Sequence, residues 1–163
     1  MDSSLAPFVP TSLDIARRML ELAKTGKDDV VFDLGCGDGR IVRMAVKDFG
    51  VRKAVGYEIR VDLHEQALEE VKRVGLETRI TIFNDDLLKA DLGEATVITL
   101  YLTTSGNESL RPKLENEASD GTRVVSHDFD FRGWNATIKE SFYGHTLYLF
   151  NLHNAHMAVG KNV

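Results

Sequence analysis

Strand-like and helix-like segments take turns along this chain, and that alternation restricts its fold more than any other feature of the sequence. Residues 29–34 (DVVFDL) are apolar apart from two acids and read as a buried strand, and residues 40–48 (RIVRMAVKD), closed by Gly50, read as a helix. The pattern repeats with a strand over 52–58, a helix over 61–74 that turns Leu68 and Val71 inward and stops at Gly75, and a strand over 79–83. A strongly apolar fourth strand (96–102, TVITLYL), a helix (108–118) and a fifth strand (122–127) follow. Strands joined through helices run parallel, so the expected class is α/β, a sheet covered by helices on both faces. Ahead of it, residues 12–24 place Ile15, Met19, Leu22 and Ala23 at helical spacing, with Thr11 or Ser12 as the cap. The ending breaks the alternation. Residues 135–142 and 146–152 are strand-like and are joined by Tyr143, Gly144 and His145, which predicts an antiparallel hairpin at a sheet edge.

With 163 residues, 43% of them hydrophobic, and only three prolines, the chain is expected to be one domain over residues 1–163. Residues 1–28 would form an N-terminal cap and helix, and residues 154–163, which lack periodicity, a flexible tail. A net charge of −5 argues against a surface that grips nucleic-acid phosphates. Cys36 stands alone, so no intramolecular disulfide can form. The opening MDSSLAPFVP lacks the basic flank and apolar run of a signal peptide, and no apolar stretch nears the roughly 20 residues of a membrane span. The expected form is a cytoplasmic monomer without membrane or nucleic-acid partners.

In doubly wound sheets the ligand lies beyond the carboxyl ends of the strands, which puts the first loop, VVFDLGCGDGR at residues 30–40, on a pocket floor. Dinucleotide sites use G-x-G-x-x-G, but Gly35, Gly37 and Gly39 are spaced G-x-G-x-G. Asp33 and Asp38 would repel a pyrophosphate, and the lysine and Ser/Thr of a phosphate-binding loop are missing. The same acids favour a cofactor with positive centres and no phosphate, such as S-adenosyl-L-methionine. Cys36 reads as a small residue lining the cofactor loop, since no base accompanies it as a nucleophile would require. Glu58 ends the second strand, where a carboxylate can accept hydrogen bonds from both ribose hydroxyls, and Ile59 can lie against adenine. Asp85 or Asp86 can accept from the adenine amino group. Asp86, followed by apolar Leu87, is preferred.

DLGCGDGR, GYEIR, FNDDLL and the two-stranded ending resemble the class I S-adenosylmethionine-dependent methyltransferases. More narrowly, FVPTS, TLYLTTSGNESLRPKLE and RVVSHDFDFRGW are similar to the small archaeal protein-lysine N-methyltransferases and to their mitochondrial relatives that modify an ATP synthase subunit. The resemblance runs over residues 7–152, and nothing after His153 has a counterpart in it. It implies a Rossmann-like, seven-stranded, mostly parallel sheet of order 3-2-1-4-5-7-6 with strand 7 antiparallel. It also implies conversion of S-adenosyl-L-methionine to S-adenosyl-L-homocysteine and partner proteins with exposed lysines as substrates. Pro10 and Thr11 would then lie near the methionine end of the cofactor, and Tyr101 would line the channel to the methyl group.

Methyl transfer from a sulfonium is an in-line displacement, so alignment supplies most of the catalysis, with effective molarities of about 10⁵ M or more in well-oriented systems. A lysine acceptor must lose a proton whose unperturbed pKa is about 10.4, and an apolar slot lowers that value. Tyr101, Phe129, Phe131 and Trp134 can line such a slot, and their rings can hold a methylated ammonium with about 0.5–2 kcal/mol. Asp128 or Asp130 can attract the cation, and His127 can take the proton. The plainer readings stand beside these: His127 as a hydrogen-bonded residue at a strand end, and Trp134 with its neighbouring phenylalanines as core. His153 and His156 do not amount to a metal site, and no metal is expected. Two other functions compete. One is a methyltransferase for small molecules or nucleic-acid bases, although TLYLTT stands where the amino-purine type carries Asn/Asp-Pro-Pro-Tyr/Phe. The other is a non-catalytic module binding S-adenosylmethionine or a nucleotide, which the intact glycine loop argues against.

Overall fold

A computed structural model describes residues 8–152. The helices are α1 (Leu13–Leu22), α2 (Arg40–Phe49), α3 (Val61–Arg73) and α4 (Thr104–Glu117), with one 3₁₀ turn at Leu87–Lys89. The strands are β1 (Val30–Leu34), β2 (Lys53–Tyr57), β3 (Ile80–Phe83), β4 (Val97–Leu100), β5 (Thr122–His127), β6 (Ile138–Phe142) and β7 (His145–Leu152). They form one seven-stranded sheet in the order β3-β2-β1-β4-β5-β7-β6, in which β7 runs antiparallel to both neighbours. This is the order that the family resemblance implies. The expected tail, with His153 and His156, lies outside the described residues.

Side chains alternate across each strand. Val31, Ala54, Val97 and Val125 join the core under α1, α2 and α3, while Phe32, Val55, Ile98 and Val124 join the core under α4. Covered on both faces, β1 and β4 are buried at every position, which explains their unbroken apolar runs. Among the described residues, no helix is long and apolar enough to cross a membrane.

Several local features set up the cleft. Ser12 caps α1 by accepting from the Ile15 amide at 3.4 Å. Farther along α1, Arg18 grips Glu140 of β6 with both arms of its guanidinium, at 2.6 and 2.7 Å. Gly56 of β2 leaves room for Cys36, whose Sγ lies 2.6 Å from where a Cβ on Gly56 would sit. The β6–β7 hairpin turns on Tyr143 (φ 47°) and Gly144 (φ 78°), two left-handed residues that match the twist of the strands they join. His145 therefore belongs to β7, paired with Phe142, and not to the turn.

Two expectations need correction. Leu68 is 43% exposed, and the inward residues of α3 are Leu63, Ala67 and Val71, spaced by one turn each. A step of one residue rotates about 100° around the helix, which carries Leu68 away from the sheet. Helix α4 begins at Thr104, four residues earlier than its apolar pattern suggests. Thr103 caps it by accepting from the Gly106 amide at 2.9 Å. Fully buried Asn107 anchors the first turn by donating to Ser126 Oγ and to the carbonyls of Phe129 and Asp130. These tertiary bonds override the weak helix propensity of Ser105, Gly106 and Asn107.

Candidate active site

The carboxyl ends of β1, β2 and β4 open onto a cleft roofed by Phe8 and floored by the glycine loop. Gly35, Gly37 and Gly39 have φ of 86°, 56° and 79°, conformations that other residues adopt only with strain. The loop is hooked to β2 by the amides of Gly35 and Cys36, which both donate to the Tyr57 carbonyl at 2.8 and 2.9 Å. Beside it, Glu58 is 7% exposed, and its two oxygens accept from the Gly37 amide at 2.8 Å and the Arg60 amide at 3.0 Å. A Cβ on Gly37 would come within 2.4 Å of the Phe8 ring, so only a bare backbone fits under that roof.

Of the residues selected from the sequence as cofactor ligands, all but Gly39 line this one cleft. Gly39 instead starts α2 and packs against Ala67. Asp33 accepts from Thr99 Oγ1 at 2.9 Å, and no ion pair holds it among the described residues. Burial pushes its pKa up to about 7, helped by the charges of Glu58 and Asp38 and opposed by the Thr99 bond. Asp38 is different. Burial works against its charge, but Arg40 grips it at 2.7 and 3.1 Å and holds its carboxyl below the usual range. Cys36 is 5% exposed, and burial pushes its thiol well up. Asp86 caps the 3₁₀ turn through Leu88 N at 2.9 Å and, like Asp85, reaches the cleft.

A second cluster stands at the ends of β4, β5 and β7. Tyr101 lines the cleft, and its ring stacks on His127 with centroids 3.8 Å apart. His127 is 1% exposed and does not line the cleft: its Nδ1 lies 3.2 Å from Thr11 Oγ1 and its Nε2 lies 2.9 Å from His145 Nδ1. With both ring nitrogens engaged behind Tyr101, it cannot take a proton directly from a group in the cleft, which corrects the role expected of it. Burial drives its pKa down to about 4 despite the neighbouring Asp128 carboxylate, so the ring is neutral at pH 7. Asp128 adopts a left-handed conformation (φ 66°) that returns its carboxylate to the Thr146 amide (3.1 Å) and His145 Nδ1 (3.0 Å). Burial opposes that charge, and these two donors hold the pKa below its ordinary value.

The expected aromatic slot is smaller than its sequence suggests. Phe129 lies near Tyr101, with ring centroids 6.3 Å apart. Phe131 and Trp134 are core residues: they stack at 4.4 Å, both pack against Phe150, and Trp134 Nε1 donates to Glu115 at 3.3 Å. They were drawn into the slot because they follow β5 closely, but the chain turns back under α4 after Asp130. The sequence reading missed His145, which only the β5–β7 register brings to His127, and Asn107, whose polar side chain gives no hint of full burial.

The fit to S-adenosylmethionine rests on this geometry. A buried carboxylate without a cation, an acceptor locked at the end of β2 and a glycine cradle that a Cβ would fill all suit a cationic, phosphate-free ligand. The profile of the ANTKMT methyltransferase domain matches residues 33–138. A protein-lysine N-methyltransferase of Saccharolobus islandicus is 48% identical over 148 residues, covering 88% of this chain and 92% of that protein. The mouse adenine nucleotide translocase lysine N-methyltransferase is 34% identical over 78% of this chain, which spans only 55% of its length. An RNA methyltransferase from Salinibacter ruber, solved in complex with S-adenosyl-L-homocysteine, superposes with a TM-score of 0.86 at 43% identity. That likeness covers 89% of this chain and 94% of that one.

Proposed function

This chain belongs to the ANTKMT methyltransferase family, and from that premise we propose that it methylates exposed lysine side chains of partner proteins with S-adenosyl-L-methionine as donor. The observation that carries the reading is buried Asp33 at the foot of the glycine loop, without an ion-pair partner among the described residues and within the same cleft as Tyr101. When bound, the cofactor supplies an electrophilic methyl group on a positive sulfur.

The chain's own residues do the rest. Asp33 and the backbone of Gly35 and Gly37 hold the amino-acid end, with Pro10 and Thr11 closing over it. Glu58 would accept from the ribose hydroxyls, Ile59 and Leu87 would offer apolar surface to the adenine, and Asp86 would accept from its amino group. Tyr101 excludes water from the methyl channel and keeps the acceptor amine in line. Asp128, held ionised beside Tyr101, draws the incoming ammonium as long as no other cation holds it, and the apolar rings of Tyr101 and Phe129 favour loss of the ammonium proton to solvent before the neutral amine attacks. His127 is a positioning residue that fixes Tyr101 from behind. We infer further that the enzyme works as a monomer in the cytoplasm, a reducing compartment being compatible with its one buried cysteine.

A second reading has one observation in its favour, the relative described as an RNA methyltransferase. The chain's net charge of −5 and the absence of an Asn-Pro-Pro-Tyr type loop after β4 favour the protein acceptor. Labelled S-adenosylmethionine offered with cell protein and with cell RNA separates the two. Label recovered as methyl-lysine supports the proposal, whereas label confined to RNA overturns it.

A further inference from the structure

The β5–β7 pairing brings three metal-ligand atoms together that lie far apart in sequence. His127 Nε2 is 2.9 Å from His145 Nδ1, His145 Nδ1 is 3.0 Å from Asp128 Oδ2, and His127 Nε2 is 3.4 Å from Asp128 Oδ2. We propose that His127, Asp128 and His145 form a binding site for one divalent transition-metal ion of the borderline class, zinc, cobalt or nickel.

Three arguments carry this. First, the triangle has the right size: bonds of about 2.0–2.1 Å to nitrogen and oxygen place neighbouring ligands about 2.9 Å apart in octahedral and about 3.4 Å apart in tetrahedral geometry. The three observed edges span that range, so a metal can enter with little rearrangement. Second, the ligands are already oriented. His127 is fixed by Thr11 Oγ1 at its other nitrogen, the kind of outer contact that sets the tautomer of a metal-bound imidazole. Asp128 is fixed through Oδ1 by the Thr146 amide, and of its two oxygens Oδ2 lies nearer to His145 Nδ1, at 3.0 Å against 3.2 Å, and within 3.4 Å of His127 Nε2. Third, the ligand set selects the ion and leaves it accessible. Two imidazoles and one carboxylate suit zinc, cobalt and nickel, whereas calcium and magnesium want oxygen. His127 closes the inner side, and the half-exposed His145 and Asp128 side chains, 37% and 28% accessible, leave the outer side to water or another ligand. A protein without the ion satisfies the same atoms by sharing a proton among them, so the cluster does not depend on metal to fold.

The test uses the full-length protein in equilibrium dialysis against zinc chloride, and against cobalt chloride with the visible absorption of the bound ion as a second readout. We expect one ion per chain, held against excess magnesium, and a loss of affinity of about 100-fold or more in H145A. D128N, nearly isosteric, should lower affinity in the same direction and guards against a folding defect in H145A, which thermal melting detects. The double variant H153A/H156A should bind as the parent does. Failure of the parent to take up either ion, uptake unchanged in both H145A and D128N, or uptake that vanishes in the double variant would each overturn the proposal.

Discussion

The proposed cofactor side of the cleft comes mostly from one stretch, residues 33–59, helped by the loop after β3 and by Pro10 and Thr11, while the proposed acceptor side draws Tyr101, His127 and His145 from three separate places in the chain. On the first side, backbone amides and carboxylates do the holding: the glycine loop is hooked to Tyr57 and Glu58, and of its two acids Asp38 is gripped by Arg40 while Asp33 has no ion-pair partner among the described residues. On the second, side chains hold side chains, with a phenol ring lying on an imidazole that is itself anchored at both nitrogens. The comparison teaches that damage to the first side should be read in cofactor affinity, and damage to the second in turnover.

The sharpest way to break that division is Glu58→Ala. It strips two backbone amides of their acceptor as well as removing a ligand, at about 1–3 kcal/mol for each unpaired group. Cofactor affinity should fall by about 100-fold or more in calorimetry; a fall under threefold would show that the loop holds without its acid. Tyr101→Ala should do the reverse, lowering kcat for lysine methylation by about 100-fold through misalignment while cofactor binding stays within a few-fold. If cofactor affinity collapses as well, the two sides are one unit.

Proton linkage sharpens the first side. Asp33 binds its proton more tightly in the folded chain (pKa about 7) than in the unfolded one (about 3.9), so it contributes stability that is complete at low pH and lost as pH rises through 7. The melting temperature of the ligand-free protein should decline over that window. A cationic ligand favours the carboxylate, so its uptake releases a proton. Affinity should climb about tenfold per pH unit up to 7 and then level off, whereas Asp33→Asn should bind weakly with a flat profile. A tenfold climb that persists in the Asn variant would move the linkage to another group. The smallest effect is expected of Trp134→Phe, which swaps one core ring for another: less than about 1.5 kcal/mol of stability and unchanged kcat and KM. Altered kinetics there would return Trp134 to the slot.

The division also explains what could be read in advance. The α/β alternation was legible because it rests on contiguous patterns, apolar runs bounded by glycines, and the glycine loop with an acid just after β2 drew attention to the cleft in the same way; the order of the strands came from the family resemblance. His145 was not, since the residue opposite it is decided by a turn of two left-handed residues and by an antiparallel register. Of the two readings of Trp134, the slot fails and the core holds for a related reason, because closeness in sequence to the end of β5 does not survive the reversal of chain direction after Asp130. The start of α4 was misplaced because buried polar bonds from Asn107, and not apolar periodicity, set it.

One hydrogen atom carries more weight than its size suggests. Because Cys36 nests against Gly56, adding a single methyl to that strand would push the sulfur toward the loop, and with it the amide of Gly37 that faces Glu58. A position outside the cleft lining therefore sets the height of the cleft floor.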